Sequence, residues 1–187
     1  MRRLIVQMGV SVDRIVAVPQ GDRSMPVMGG QWGVPPEDPE LTELKLGWLW
    51  EAGAHLMGRV TYVEMAAHWP SSPDAYAAPM NEIPKVVFSN TLDRADWPDS
   101  HIARGDLVDE ISNLKREPGK DLVAWGGATF AQSLARHDLV DEYRLITHPV
   151  AFGSGAPLFK DLPTPLSLEL AETRSFSSAS VQVYRRA

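Results

Sequence analysis

Twice in this chain a short apolar run breaks at glycine and passes almost at once into a helical pattern. The first is His55-Leu56-Met57-Gly58-Arg59, leading into Thr61–His68. The second is Asp121-Leu122-Val123-Ala124-Trp125, leading through Gly126-Gly127-Ala128 into Thr129–Ala135. A short apolar run without alternation fits a strand covered on both faces. A strand that hands over to a helix is the repeating unit of a mostly parallel sheet, in which helices carry the chain back across the faces. Two such junctions in one chain therefore predict an α/β fold.

The remaining segments repeat the unit. Residues 3–10, 54–57, 85–89, 121–125 and 142–148 read as strands. Asp38-Pro39 reads as an N-cap followed by proline at the first helical position. Leu41, Leu44, Trp48, Leu49 and Ala52 then form one apolar face, and Gly53 is the stop. Asp106 caps a helix with Leu107, Ile111 and Leu114 inward, ending near Pro118-Gly119. Near the C-terminus, Leu166, Leu168 and Leu170, then Val181 and Val183, alternate about Ser175–Ser178, which predicts an antiparallel strand pair. The expected architecture is one domain over 1–187, a central mostly parallel sheet with antiparallel C-terminal strands. Between Pro19 and Pro39 lie five prolines and four glycines, a loop of a length usually tied to function.

Composition narrows the chemistry. The chain has no cysteine, which excludes disulfides, thiol catalysis and cysteine-rich zinc sites. The five histidines form no H-x-x-x-H pair and no G-x-S-x-G is present, so neither a metal site nor a serine hydrolase is expected. A net charge of -6 does not suit a nucleic-acid surface. No run approaches a membrane span or a secretory signal. A cytoplasmic protein is expected, with a small-molecule substrate.

Both junctions suit an anion. Thr61 and Glu64 form a T-x-x-E capping box, which starts the helix at Thr61. Helix N-termini attract anions through free N–H groups and the dipole. Gly58 permits a tight turn and Arg59 adds a planar five-donor fork. The same residues also fit a capped helix beside a solvated arginine. At the second junction, Gly126 and Gly127 let backbone amides approach a ligand closely. In α/β sheets ligands gather at the carboxyl ends of the strands. The loop Gln31-Trp32-Gly33-Val34-Pro35-Pro36-Glu37-Asp38 has the composition of a lid. Gly153 and Gly155 fit a strand-connecting loop.

Taken in order, these pieces resemble the dihydrofolate reductase fold, a superfamily that includes the reductase domain of bacterial riboflavin synthesis and stand-alone reductase-like proteins. The residues that carry the resemblance span nearly the whole chain: Gly9 with Val12-Asp13-Arg14, Trp32-x-x-Pro35, Met57-Gly58-Arg59-x-Thr61-Tyr62-x-Glu64, Val87-Phe88-Ser89-Asn90, Trp125-Gly126-Gly127-Ala128 and Thr147-His148. The segment Gly153-Ser154-Gly155-Ala156-Pro157-Leu158-Phe159 looks more like the riboflavin-type and stand-alone branch.

The resemblance implies an NADPH-dependent reductase of a pterin or related nitrogen heterocycle. It implies that Arg59 faces the adenosine 2′-phosphate and Thr61 the pyrophosphate, beside Gly58. It puts Ser89 and Asn90 on the adenine ribose side. Gly126, Gly127, Ala128 and Thr129 would cradle the pyrophosphate, with a cis peptide at Gly126-Gly127, and the backbone of Gly9 and Val16 would hold the nicotinamide amide. A proton donor is required beside the nicotinamide. The position after W-x-x-P makes it Glu37, with Asp38, Glu40 and Glu43 as alternatives. Asp13, Trp32 and Thr147 are the implied substrate contacts. Relatives in the riboflavin branch pair, so a homodimer is expected.

Two departures matter. Ser11-Val12-Asp13-Arg14 stands where the stand-alone branch often has S-L-D-G. The cysteine ligands of the zinc deaminase domain found in bifunctional riboflavin enzymes are missing. Two alternatives stay open: reduction of the ribosylated pyrimidine phosphate of riboflavin synthesis, and a nucleotide-binding protein without turnover. For the first, Lys85, Arg94, Lys160 and Arg174 are candidates to meet a substrate phosphate.

Overall fold

The structure is a computed structural model that describes residues 1–17 and 37–187; Trp32 and the rest of the W-x-x-P segment lie outside the described residues. The elements run β1 (Leu4–Ser11), β2 (Ile15–Ala17), α1 (Pro39–Glu51), β3 (Ala54–Gly58), α2 (Arg59–His68), α3 (Ala77–Glu82), β4 (Lys85–Phe88), β5 (Ser100–Ala103), α4 (Leu107–Arg116), β6 (Leu122–Ala124), α5 (Ala128–Arg136), β7 (Glu142–His148), β8 (Ala156–Pro157), β9 (Leu168–Ser175) and β10 (Ser180–Arg186). Eight strands form one sheet in the order β5-β4-β3-β6-β1-β7-β10-β9. The pairings from β5 to β7 are parallel. The two pairings made by β10 are antiparallel, so the C-terminal edge reverses direction as the alternation about Ser175–Ser178 predicts.

Strand alternation sorts the sheet into two faces. Leu4, Val6 and Val10 of β1 pack with Ile111 of α4 and with Phe130, Ala131 and Leu134 of α5. The opposite face puts Ile5 with Ala52, Ile83 and Val123. On that face, farther along the sheet, Ile146, Val181 and Val183 meet Leu41 of α1. On the other side of the same face, Met57 and Val87 meet Leu49 of α1, Met65 of α2 and Met80 of α3. The result is three layers, with α1, α2 and α3 on one face and α4 and α5 on the other.

Several expectations shift here. The helix after Gly58 begins at Arg59, and its N-cap is Gly58 with no side-chain cap. Thr61 is therefore inside the first turn, not a capping residue. The reason is that β3 hands over to α2 with no turn between them. The edge strand β5 and the six-residue α3 carry no sequence signal. His101 on β5 is exposed, which blurs the apolar run, and Pro79 interrupts α3.

Asp38 is the cap of α1. Its Oδ1 accepts from the Glu40 amide at 2.9 Å, and its Oδ2 accepts from the amide and hydroxyl of Ser177 at 3.0 and 2.5 Å. The carboxylate thus clasps the start of α1 to the β9–β10 turn. Both of its oxygens are engaged in holding the fold.

Glu142 is the main buried ionic anchor, 2 % exposed at the start of β7. It accepts from Arg144 Nε at 2.7 Å, Arg3 Nη1 at 3.0 Å and Arg185 Nε at 3.1 Å. Burial acts to raise its pKa, but the bonds from Arg144 and Arg185 and the neighbouring positive charges outweigh it and hold the carboxyl below its ordinary value. Removing one partner of such a cluster strands buried charge. Glu142→Ala is expected to cost about 3–5 kcal/mol, read by urea unfolding at pH 7. The folded pKa is depressed, so the stability carried by Glu142 is complete above the unfolded value of about 4.3 and is lost as pH falls through the folded one. The difference between wild type and Glu142→Ala is therefore expected to shrink below pH 4.

Candidate functional site

The two strand–glycine–helix junctions lie side by side, because β3 and β6 are neighbours in the sheet. The Gly58 amide donates to the Gly126 carbonyl at 3.4 Å. Gly58 caps α2 and Gly127 caps α5, each without a side-chain hydrogen bond. The first amides of two neighbouring helices therefore start side by side with no side-chain cap bond from either N-cap residue. The fit is close. A Cβ on Gly127 would lie 3.3 Å from Thr61 Oγ1, and one on Gly58 would lie 3.5 Å from Phe130 Cβ. Gly126 has φ +92, a conformation that a side chain would strain, and its Cβ would lie 3.0 Å from Met8 Cε. The Gly126–Gly127 peptide is cis.

Arg59 is the first residue of α2, exposed, and its guanidinium has no partner among the described residues. Thr61 is buried within the first turn, and Ala128 and Thr129 open α5, with Thr129 exposed. At the end of β4, Ser89 Oγ accepts from the Thr91 and Leu92 amides at 3.2 and 2.9 Å and so holds the turn, while Asn90 is exposed. Concave backbone amides, a buried hydroxyl and an unpartnered arginine make a donor set for a phosphorylated ligand.

The neighbouring region lies at the carboxyl ends of β1 and β7, on the α1 face. Gly9 pairs in register with Ile146, and Ser11 with His148. A Cβ on Gly9 would lie 3.2 Å from His148 Nε2, so the histidine ring takes the space that glycine leaves. Burial and the charge of Lys45 lower the His148 pKa, against the opposing influence of Glu37. Glu37 itself accepts from Thr42 Oγ1 at 2.8 Å, from the Tyr76 hydroxyl and from Lys45 Nζ at 2.5 Å. Burial acts to raise its pKa, yet Lys45 and these bonds bring it below the ordinary value. Glu37 is thus an ionised acceptor at neutral pH. Lys45 and Tyr76, which did not stand out in the sequence, donate to it together with Thr42, and its charge acts on His148.

Two of the implied substrate contacts, Thr147 and Asp13, are bonded within the protein. Thr147 points to the α5 face with Val10, its register partner, and its hydroxyl is bonded to Arg14 Nη1 at 3.0 Å and Gln182 Oε1 at 3.1 Å. His148 takes the position over Gly9 in its place. Asp13 is a loop clamp, accepting from Ser11 Oγ at 2.6 Å and from the Gly153 and Phe152 amides at 2.7 and 3.3 Å. Trp32 lies outside the described residues. Val16 sits in β2, which pairs with β8. Arg14 occupies the left-handed region at φ 63, which accounts for glycine being common there in the S-L-D-G form.

Of the basic residues considered for a substrate phosphate, Lys85 is 1 % exposed and donates to the carbonyls of Asn81 and Pro98. Arg94 pairs with Asp96 and Arg174 with Glu172. Lys160 is exposed.

A second buried histidine fixes the wall of the site. His55 Nδ1 accepts from Trp125 Nε1 at 2.9 Å, and Nε2 lies 3.2 Å from the Pro79 carbonyl. Indole N–H only donates and a carbonyl only accepts, so His55 is the neutral Nε2–H tautomer. Burial pushes its pKa down to about 4. This holds Trp125 rigidly beside Gly126. Histidine NMR is expected to show this tautomer unchanged from pH 8 to pH 5. The contribution of neutral His55 to stability is complete above about pH 6.5 and is lost as pH falls toward 4.

Comparison with known proteins places this geometry. The RibD C-terminal domain model matches residues 2–181. The Bacillus subtilis (strain 168) uncharacterized protein YyaP is 40% identical over 99 residues, 53% of this chain and 52% of its own length. Uncharacterized protein YwjB of the same organism is 28% identical over 71% of this chain and 72% of its own. The match to YyaP thus spans about half of that relative. Among solved structures, a protein from Shewanella sp. PV-4 assigned by name to riboflavin biosynthesis superposes with TM-score 0.76 at 23% identity, covering 99% of both chains. The diaminohydroxyphosphoribosylaminopyrimidine deaminase/5-amino-6-(5-phosphoribosylamino)uracil reductase of Thermotoga maritima superposes with TM-score 0.67 at 16% identity, over 100% of this chain and 57% of its own. These structures share the dihydrofolate reductase-like fold. With a family match over nearly its whole length, the chain belongs to the RibD C-terminal domain family.

Proposed function

We propose that this protein is an NADPH-dependent reductase of a pterin or related nitrogen heterocycle. The observation that carries the reading is the pair of uncapped helix starts at Gly58 and Gly127, abutting through Thr61, with Arg59 unpartnered at their edge. Gly58, Thr61, Gly126, Gly127, Ala128 and Thr129 would receive the pyrophosphate, and Arg59 the 2′-phosphate. Asn90 and the turn held by Ser89 would border the adenine ribose. The backbone at Gly9 and Val16 would hold the carboxamide of the nicotinamide. When bound, the cofactor supplies a hydride to a ring carbon of the substrate.

The balancing proton falls to His148, beside Gly9. Its pKa is lowered by burial and Lys45 against Glu37, so the protonated ring is the minor form at neutral pH. Glu37, ionised against Lys45, stabilises charge around that ring and accepts hydrogen bonds from the substrate. This moves the proton from the carboxylate expected after W-x-x-P to a histidine on β7.

A second reading, reduction of the ribosylated aminopyrimidine phosphate, is favoured by the name of the Thermotoga maritima protein. It needs a cation for the substrate phosphate. Among the four basic residues considered, Lys85, Arg94 and Arg174 are already engaged, which favours the first reading.

Tryptophan-fluorescence titration with NADPH and NADH tests the cofactor half. Wild type is expected to prefer NADPH. Arg59→Ala is expected to weaken NADPH by roughly tenfold to hundredfold, the worth of a charge-assisted bond, and to leave NADH nearly unchanged. Equal loss for both cofactors would return Arg59 to a surface role, and no binding of either by wild type would overturn the reading.

A further inference from the structure

Gln7 stands on β1 two residues before Gly9 and on the same face of the sheet. It is 2 % exposed, and neither its Oε1 nor its Nε2 has a hydrogen-bond partner among the described residues. Its register partner on β7 is Arg144, which is also buried and whose Nη1 is likewise without a partner. The rest of that guanidinium is engaged. Nε donates to Glu142 at 2.7 Å, and the group lies over the Trp48 ring at 4.7 Å. Two unsatisfied polar groups thus sit abreast on the strand face that leads to Gly9.

A buried amide with both ends unsatisfied is costly, and an apolar residue of similar size would serve stability better. Buried groups elsewhere are treated differently: His55, Lys85 and Glu142 all have partners. Among the described residues Trp69 Nε1 and Ser100 Oγ are also buried without a partner, but Gln7 alone leaves both ends of an amide unsatisfied, and it lies on the strand face that carries Gly9.

We infer that Gln7 is a specificity-determining residue that reads the lactam edge of the substrate ring. A carboxamide presents one donor and one acceptor side by side, the complement of a ring –C(=O)–NH– edge. Nε2 donates to the ring carbonyl, Oε1 accepts from the adjacent ring N–H, and Arg144 Nη1 is a second donor to the carbonyl. This deepens the proposed function, on which it rests. It restricts the substrate to heterocycles with an unsubstituted lactam and disfavours simple aldehydes and ketones.

The test is calorimetric titration of the full chain, with and without saturating NADPH, using lumazine (2,4-dioxopteridine) and 1,3-dimethyllumazine, in which the ring N–H groups are methylated. Wild type is expected to bind lumazine at least about tenfold more tightly than the dimethyl compound. Gln7→Leu is expected to bind lumazine about tenfold or more weakly and lose the discrimination. It keeps wild-type affinity for NADPH and melts higher by about 2–4 °C.

Equal lumazine affinity in wild type and Gln7→Leu would overturn the inference and leave the amide to a buried water. So would a wild type that fails to bind lumazine or to discriminate, or a lower melting temperature for Gln7→Leu. Failure of wild type to bind NADPH would overturn the cofactor reading instead, and the titration without NADPH decides Gln7 on its own.

Discussion

The structure depends on how tightly strand passes into helix at two adjacent places. β3 ends at Gly58 and α2 begins at Arg59; β6 ends at Ala124 and only Trp125, Gly126 and Gly127 precede α5. Two helix ends that start this close to neighbouring strands must share space, and the space is filled to contact. Thr61 and Phe130 come within van der Waals reach of where glycine Cβ atoms would be. The glycines are therefore a packing requirement before they are a binding feature. Once it is met, the first amides of both helices start side by side, and Arg59, as the first residue of α2, stands beside them. The anion-ready cradle follows from the way the sheet is closed.

The same economy governs buried polarity. Glu142 sits among three arginines, Lys85 donates to two carbonyls, and His55 satisfies both ring nitrogens between Trp125 and Pro79. Each is a buried group that would be expensive alone and is made tolerable by saturation. His55 shows how such a group serves the site without entering it. By accepting from the indole N–H it fixes Trp125, and through it the approach to Gly126. Gln7 departs from this saturation at both ends of its amide, on the strand face that carries Gly9, whereas Trp69 and Ser100 each leave a single atom unsatisfied elsewhere among the described residues.

Much of this was legible in the sequence. The apolar run Glu142–His148, the Asp38-Pro39 helix start and the two glycine junctions carry strong local signals, and the sheet order follows the family that they resemble. What was hidden depends on register. A one-residue difference in strand parity sends Thr147 to the α5 face and His148 to the α1 face, and neither composition nor spacing fixes parity at the end of a buried strand. Lys85 was a candidate for a substrate phosphate because a lysine in an apolar run has no sequence mark of its carbonyl partners. The box Thr61-x-x-Glu64 had the letters of a cap, but β3 runs straight through to Arg59 and leaves no place for one. Gln7 gave no signal either, since a single polar residue within Leu4–Ser11 reads as a tolerated exception.

The cluster of Glu37, Lys45 and His148 joins these points. Glu37 and Lys45 are eight residues apart, just before and within α1, and His148 comes from much later in the chain, at the end of β7. Lys45 keeps Glu37 charged, and Tyr76 and Thr42 occupy its other oxygen. A carboxylate so held accepts hydrogen bonds at neutral pH, which is why the proposed function assigns the proton to a group nearer Gly9. On that proposal the cofactor end is built from backbone and the substrate end from side chains. Backbone donors are set by fold and change slowly with sequence. Donors such as Gln7 and His148 change with one residue, so these two positions are where this chain is expected to differ in specificity from relatives with the same sheet and junctions.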